Sequence, residues 1–184
     1  MDMKEIEKMR SQMLYSFADP EIIASLKHAQ SACARLRTMT IKDKDYREAI
    51  EDLIPGIPAS STVSPPITCD HGHGIHLGEH VFINYNCTFL DGGDITIGDH
   101  VLIGPNCSFY TPQHPMDYVS RRIPHETTFP ITVGEDTWIC GNVTVCPGVT
   151  IGKRCIIAAG SVVTHDIPDD CMAAGVPAEV KKHL

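Results

Sequence analysis

Residues 131–167 read ITVGEDTWICGNVTVCPGVTIGKRCIIAAGSVVTHDI. Steps of six from Ile131 land on Thr137, Val143, Val149, Cys155, Ser161 and Ile167. The same steps from Val133 land on Ile139, Val145, Ile151, Ile157 and Val163, all large apolar residues. Glycine recurs just beyond this second series, at Gly134 and Gly152, and in shifted places at Gly148 and Gly160. Six residues are enough for one short strand and one turn, and three such units close a triangular coil. Residues two apart on a strand point the same way, so both series face inward. Small anchors such as Val, Thr, Cys and Ser suit a narrow interior, while Gly and Asn suit corners with unusual backbone angles. A fixed six-residue phase is the mark of a β-helix. An ordinary sandwich offers no reason for it.

The frame extends toward the N-terminus in two further blocks. Ile95, Val101 and Cys107 carry Ile97, Ile103 and Phe109, and Ile75, Val81 and Cys87 carry Leu77, Ile83 and Phe89. A two-residue insertion near Asp91 separates these blocks, and a long excursion follows Phe109. The repeat region is therefore expected over residues 75–169, with the excursion at 110–130 and a tail at 170–184. Residues 55–74, rich in Pro, Ser and Gly, read as an extended connector. Residues 1–54 read as helical: Ile6, Met9, Met13 and Leu14 are near helical spacing, and Ile22, Ile23, Leu26, Ala29 and Cys33 form a stripe. Asp19 before Pro20 is a helix start, and Pro55, Gly56 and Pro58 end the segment.

The chain has 184 residues, enough for one domain with a real core, and a net charge of −8 that argues against a duplex-binding surface. No basic stripe or nucleic-acid motif appears. The N-terminus, MDMKEIEKMRSQ, lacks the apolar run of a secretory signal, and no apolar stretch reaches membrane-spanning length. The expectation is a cytoplasmic protein, so its eight cysteines read as free thiols rather than a disulfide framework. Three of them, Cys87, Cys107 and Cys155, fall on interior anchors.

The excursion reads YTPQHPMDYVSRRIPHETTFP. A prism coil does not need it, and long loops on rigid scaffolds often carry function. His114 within it can take a proton near neutral pH, or can be an ordinary polar loop residue. Asn84 and Asn86 bracket Tyr85, and Asp91 sits at the insertion. Such groups can bind a hydroxylated substrate or steady an oxyanion, and corner asparagines are an equally good structural answer. The stretch CDHGHGIH holds Cys69, His71, His73 and His76, with His80 and His100 further on. Zinc accepts such ligands, but the spacing is not a tight zinc motif. A metal-dependent hydratase on this fold is thus one alternative, and a non-enzymatic β-helix scaffold is another.

Five segments carry a resemblance. They are KMRSQMLYSFAD (8–19), INYNCTFLD (83–91), IGDHVLIGPNCSFYTPQHPMD (97–117), FPITVGEDTWICGNVTVCPGVTIG (129–152) and AAGSVVTHDIPDDCMAAGVPAEV (158–180). Together they resemble the maltose and galactoside O-acetyltransferases, hexapeptide-repeat acyltransferases, over nearly the whole chain. The resemblance implies an all-β, left-handed parallel β-helix with an N-terminal helical segment, an exception to the usual right-handed crossover. It implies a homotrimer with active sites between neighbouring prisms. It implies acetyl-CoA as cosubstrate, no required metal, and direct transfer to a sugar hydroxyl of maltose, glucose or galactoside type, without an acetyl-enzyme. His114 falls on the family's general base and Asn84 on a residue holding acceptor and transition state. Asp19, Asp70, and Asp91 or Gly92 fall at acceptor-binding positions. The family residue at position 70 can be serine. Trp138, Gly141, Ala159, Thr164 and His165 fall on the cofactor side, where Trp138 either lines the cleft or packs the prism. Glu179 stands where members often carry arginine, which leaves Lys182, and also Lys181, Lys153 and Arg154, to attract CoA phosphates.

Overall fold

The computed structural model describes residues 3–184. Residues 1 and 2, at the start of the segment expected to be helical, lie outside the described residues. The chain forms a left-handed parallel β-helix with a helical region at its N-terminus. Its prism has three faces. One stacks Ile75–Leu77, Ile95–Ile97, Ile131–Val133 and Thr150–Ile151 as four strands. A second stacks seven: Thr62–Val63, Phe82–Ile83, Leu102–Ile103, Trp138–Ile139, Ile156–Ile157, Cys171–Ala174 and Glu179–His183. A third stacks five: Ile67–Cys69, Cys87–Leu90, Ser108–Tyr110, Thr144–Val145 and Val162–Val163. All prism pairings are parallel except the last strand of the seven, which turns back antiparallel on Cys171–Ala174.

The registers show why the six-residue phase works. Ile75, Ile95 and Ile131 lie in one row, as do Leu77, Ile97, Val133 and Ile151. Both inward series are buried throughout, except for a partly exposed Leu77. Phe89 and Phe109 stack face to face with centroids 4.9 Å apart. The small anchors do more than fit. Ser61 and Thr137 hydroxyls donate to Gly78 O and Gly152 O at 2.7 and 2.8 Å. Cys107 and Cys155 thiols point at Cys140 O and Pro168 O at 3.0 and 3.1 Å. Each supplies a donor to a corner carbonyl of the neighbouring coil.

Corners hold the left-handed residues. Asn86, Asn106 and Asn142 form one corner row with φ of 61°, 59° and 59°. His80 and His100 belong to another, with rings stacked 4.9 Å apart. Asn86 and these two histidines therefore have a backbone reason to be where they are.

The prism begins earlier than the frame at Ile75. The segment expected as an extended connector supplies two strands, with Ser61 and Val63, then Ile67 and Cys69, in inward phase. Three helices cover this end: α1 (Glu5–Arg10), α2 (Pro20–Leu36) and α3 (Tyr46–Leu53). Leu36, Ala29 and Cys33 from α2, with Ala49, Ile50 and Leu53 from α3, join the prism core. The Cys33 and Cys69 sulfurs lie 3.8 Å apart, and all eight cysteines are unpaired.

The N-terminal segment is not helical throughout. Tyr15–Ser16 is a short strand that pairs antiparallel with His125–Glu126. Pro112–Gln113 pairs with Thr127–Thr128. The excursion is thus a hairpin clamped under the N-terminus, and its tip around Met116 and Tyr118 projects.

Candidate active site

Every interruption of the repeat leaves the prism at one edge, between the five- and four-stranded faces. The first runs from Cys69 to Ile75, the second from Leu90 to Ile95, and the third from Tyr110 to Ile131. Stacked there, the first and third border a cavity of about 330 Å³. Asp70 and His71 come from the first interruption, and His114 and Glu126 from the third. Tyr15, Phe17, Ile22 and Leu26 of the helical region close it with an apolar wall.

His114 follows the strand Pro112–Gln113, so the hairpin fixes its backbone. Its ring meets the edge of Phe17, with centroids 6.0 Å apart. His114 Nδ1 lies 3.7 Å from Glu126 Oε2, and the Tyr15 hydroxyl donates to the other oxygen of Glu126. Glu126 is largely buried at the side chain while His114 stays half-exposed. A carboxylate on the Nδ1 side favours a proton there and leaves Nε2 as the base. The 3.7 Å separation is longer than a hydrogen bond, as such contacts are before substrate closes them. Burial of Tyr15 beside Glu126 pushes its hydroxyl pKa well up, so it remains a donor. Glu126 was not singled out from the sequence. Its signal is the strand pairing with Tyr15, residues 111 positions apart.

Asp70 faces the same cavity. Burial first, then the charges of Asp91 and Glu126, push its carboxyl up to about 7. Asp91 is different: it is fully buried, and its two oxygens accept the amides of His71 at 2.8 Å and Gly74 at 2.9 Å. Both oxygens of Asp91 hold the backbone of the first interruption. Gly92 lies close to the cavity's Tyr15, where a Cβ would press on Thr128 and the Tyr15 hydroxyl. Asp19 caps α2, accepting from Glu21 N at 2.9 Å, and does not line the cavity.

The remaining candidates lie elsewhere. Asn84 sits just past Phe82–Ile83, at the edge between the seven- and five-stranded faces; its Oδ1 accepts Tyr85 N at 2.9 Å and its amide hydrogens are left over. Gly141 and Ala159 share that edge two residues past Ile139 and Ile157, and Gly160 N donates to Gly141 O at 3.0 Å. Trp138 does not pack the prism: it stands on the outer seven-stranded face, half-exposed. Thr164 and His165 are on the His114 edge but further along the axis, with Thr164 Oγ1 and His165 Nδ1 2.8 Å apart. Lys182 pairs with Met172 on the final hairpin, exposed. Glu179 is answered within its own strand by Lys181 Nζ at 2.9 Å. One chain thus brings His114, Asp70 and Glu126 together and holds Asn84, Gly141 and Ala159 on another edge.

Among the described residues no three His, Cys, Asp or Glu side chains converge as a metal site. The histidines of CDHGHGIH are committed otherwise. His71 and His73 both reach Ser25, and His76 Nε2 lies 3.2 Å from Asp94 Oδ1.

The chain is similar in sequence and fold to known proteins. Residues 8–54 match the maltose acetyltransferase hexapeptide capping motif, and residues 130–165 match the bacterial transferase hexapeptide (six repeats). A maltose O-acetyltransferase from Clostridium difficile 630 superposes with a TM-score of 0.95 at 36% identity, covering 99% of this chain and 98% of that one. A hexapeptide-repeat acetyltransferase from Vibrio cholerae O1 biovar eltor, complexed with acetyl coenzyme A, gives 0.92 at 39% identity over 99% of each chain. A galactoside acetyltransferase in complex with coenzyme A gives 0.90 at 30% identity, over 99% and 92%.

Proposed function

The chain belongs to the hexapeptide-repeat acetyltransferases of the maltose and galactoside type, acetyl-CoA-dependent enzymes that acylate a sugar hydroxyl, and we propose that His114 is its general base. The observation that carries this assignment is the His114–Glu126–Tyr15 arrangement on the wall of the cavity. Nε2 of His114 removes the proton of an acceptor hydroxyl as its oxygen attacks the thioester carbonyl. Glu126 steadies the imidazolium that forms, and the same Nε2 returns the proton to the departing thiolate. Transfer is direct. The buried thiols of Cys87, Cys107, Cys155 and Cys171 serve the prism, not the chemistry.

Asp70 orients the acceptor. Asn84 supplies amide hydrogens to the oxyanion, and Gly141, Ala159 and Thr164 offer backbone groups to the pantetheine arm. The corner fits such an arm: a Cβ on Gly160 would meet nothing within 4 Å, so the edge is open. Trp138 flanks it, and Thr164 and His165 meet the arm from the His114 edge of a neighbouring copy. Lys182 attracts phosphate, and Lys181 offsets Glu179.

The same reading includes a homotrimer. Phe82, Leu102, Trp138, Ile156 and Met172 form an outward apolar row on the seven-stranded face. Three of them, Phe82, Leu102 and Trp138, are exposed in the single chain. A neighbouring copy covers that row and brings its His114 edge to Asn84, Gly141 and Ala159. A cytoplasmic location belongs to the proposal as well, in keeping with eight unpaired thiols. No helix among the described residues is long and apolar enough to cross a membrane.

The test incubates the protein with acetyl-CoA and a panel of glucosides, galactosides, maltose and amino sugars, following free CoA and acetylated product. Acceptor-dependent transfer is expected, and His114→Ala lowers kcat by about a hundredfold or more. Absence of transfer across the panel refutes the sugar assignment. Normal turnover by the variant refutes the base.

A further inference from the structure

Arg10 anchors a hydrogen-bonded chain that ends at the cavity wall. A guanidinium has only donors. Arg10 donates through Nη1 to Asp91 O at 2.9 Å and to Asp94 Oδ1 at 3.1 Å. Its Nη2 lies 2.8 Å from His73 Nδ1, which must therefore accept. A neutral His73 then carries its proton on Nε2, 3.0 Å from Ser25 Oγ, and donates there. Ser25 has a single proton, and its other neighbour is His71 Nδ1 at 2.8 Å. The hydroxyl donates to it. His71 is left with its own proton on Nε2.

The surroundings agree with neutral rings. Burial first lowers the pKa of His71, to about 4; the nearby His73 and Arg10 lower it too, against an opposing Asp91. His73 is lowered as well, mainly by burial and then by Arg10, against Asp91 and Asp94. Gly72 between the two histidines has φ of +79°, and a Cβ there would strike the carbonyl of Leu53. Only glycine makes the turn that lays both rings on Ser25.

The free end of the chain can be located. His71 lines the cavity and is 4% exposed. Among the described residues, every fully buried side-chain nitrogen and oxygen has a hydrogen-bond partner. Nε2 of His71 has none among the described residues, so it is not sealed in, and the cavity is the open space that His71 lines. Asp70 and Glu126 also face this space, and both are acceptors when ionised.

We propose that His71 Nε2–H donates a hydrogen bond to an oxygen of the acceptor substrate, and that Arg10, His73 and Ser25 act as positioning residues that fix this tautomer. The inference rests on the acetyl-transfer reading of the cavity and adds a specificity determinant to it. A sugar hydroxyl can donate to Asp70 while it, or its neighbour on the ring, accepts from His71. The wall thus selects a neutral polyhydroxylated acceptor presenting both a donor and an acceptor.

Two measurements test it, and they fail separately. Nitrogen-15 spectra of histidine-labelled full-length protein, without any sugar, read the tautomer. The expected pattern is a protonated Nε2 and bare Nδ1 on His71, unchanged from about pH 5.5 to 8.5, with Ser25→Ala mixing the tautomers. The opposite tautomer, or a ring that titrates in that window, overturns the donor chain. Kinetics with maltose and methyl β-galactoside read the role. Removing the donor in His71→Phe is expected to raise KM for the sugar about tenfold, with KM for acetyl-CoA unchanged. The amide donor of His71→Gln recovers part of that loss, and Ser25→Ala shows a smaller rise if His71→Phe folds poorly. Equal changes in both KM values, or none in the sugar's, overturn the assignment. Wild-type enzyme that turns over neither sugar refutes the transfer reading instead, whatever the spectra show.

Discussion

Asp70 shows how much one half-buried carboxyl can report. Its pKa is raised from 3.8 to about 7 because the cavity desolvates it beside Asp91 and Glu126. Below pH 3.8 it is protonated folded or unfolded, and its ionisation costs nothing. As pH rises toward about 7 the unfolded chain loses the proton and the folded one keeps it, so stability falls through this window and stays lower above it. Asp70→Asn is therefore expected to raise Tm relative to wild type at pH 8 and to match it near pH 4, measured by thermal unfolding at both. The same variant loses acceptor affinity, since an amide cannot take a charge-assisted bond. At this scale the sequence was partly legible. His114 stands out because it lies in a block the prism does not need. Glu126 lies in the same block and does not stand out, since its partner Tyr15 meets it only through strand pairing. Asp91 stands out because it sits at the insertion, and the fold buries it there with both oxygens on the amides of His71 and Gly74.

Among the elements, the interior rows carry the stability and the interruptions carry the chemistry. The Phe89–Phe109 stack crosses two coils just before the second and third interruptions. Phe109→Ala is expected to cost about 3–5 kcal/mol, seen as a lower denaturant midpoint with an unchanged slope. The outward-facing Thr132, on the neighbouring four-stranded face, should tolerate alanine within about 0.5 kcal/mol. The six-residue phase made these rows readable from Ile75 onward. The first coil was hidden for a physical reason. Ser61, Val63, Ile67 and Cys69 keep inward phase, but Pro65 and Pro66 between them imitate a linker. The strand Tyr15–Ser16 was hidden too: two residues inside a helical texture form a strand only because Glu126 and His125 offer an edge.

For the whole molecule, the edges matter more than the faces. One edge collects all three interruptions and the His114 cavity, and another collects Asn84, Gly141 and Ala159. The apolar row Phe82, Leu102 and Trp138 lies beside the second edge and is exposed in the single chain. On the proposed function, acetyl transfer takes place where these two edges meet in neighbouring copies. The most direct measurement co-expresses His114→Ala and Asn84→Ala chains and assays acceptor-dependent transfer by the mixed assemblies. Each variant alone should be nearly inactive. Random mixing should restore about a quarter of the wild-type rate, because that share of sites draws its histidine from one chain and its asparagine from the other. Mixed assemblies no more active than either variant alone would show that the two edges do not share a site.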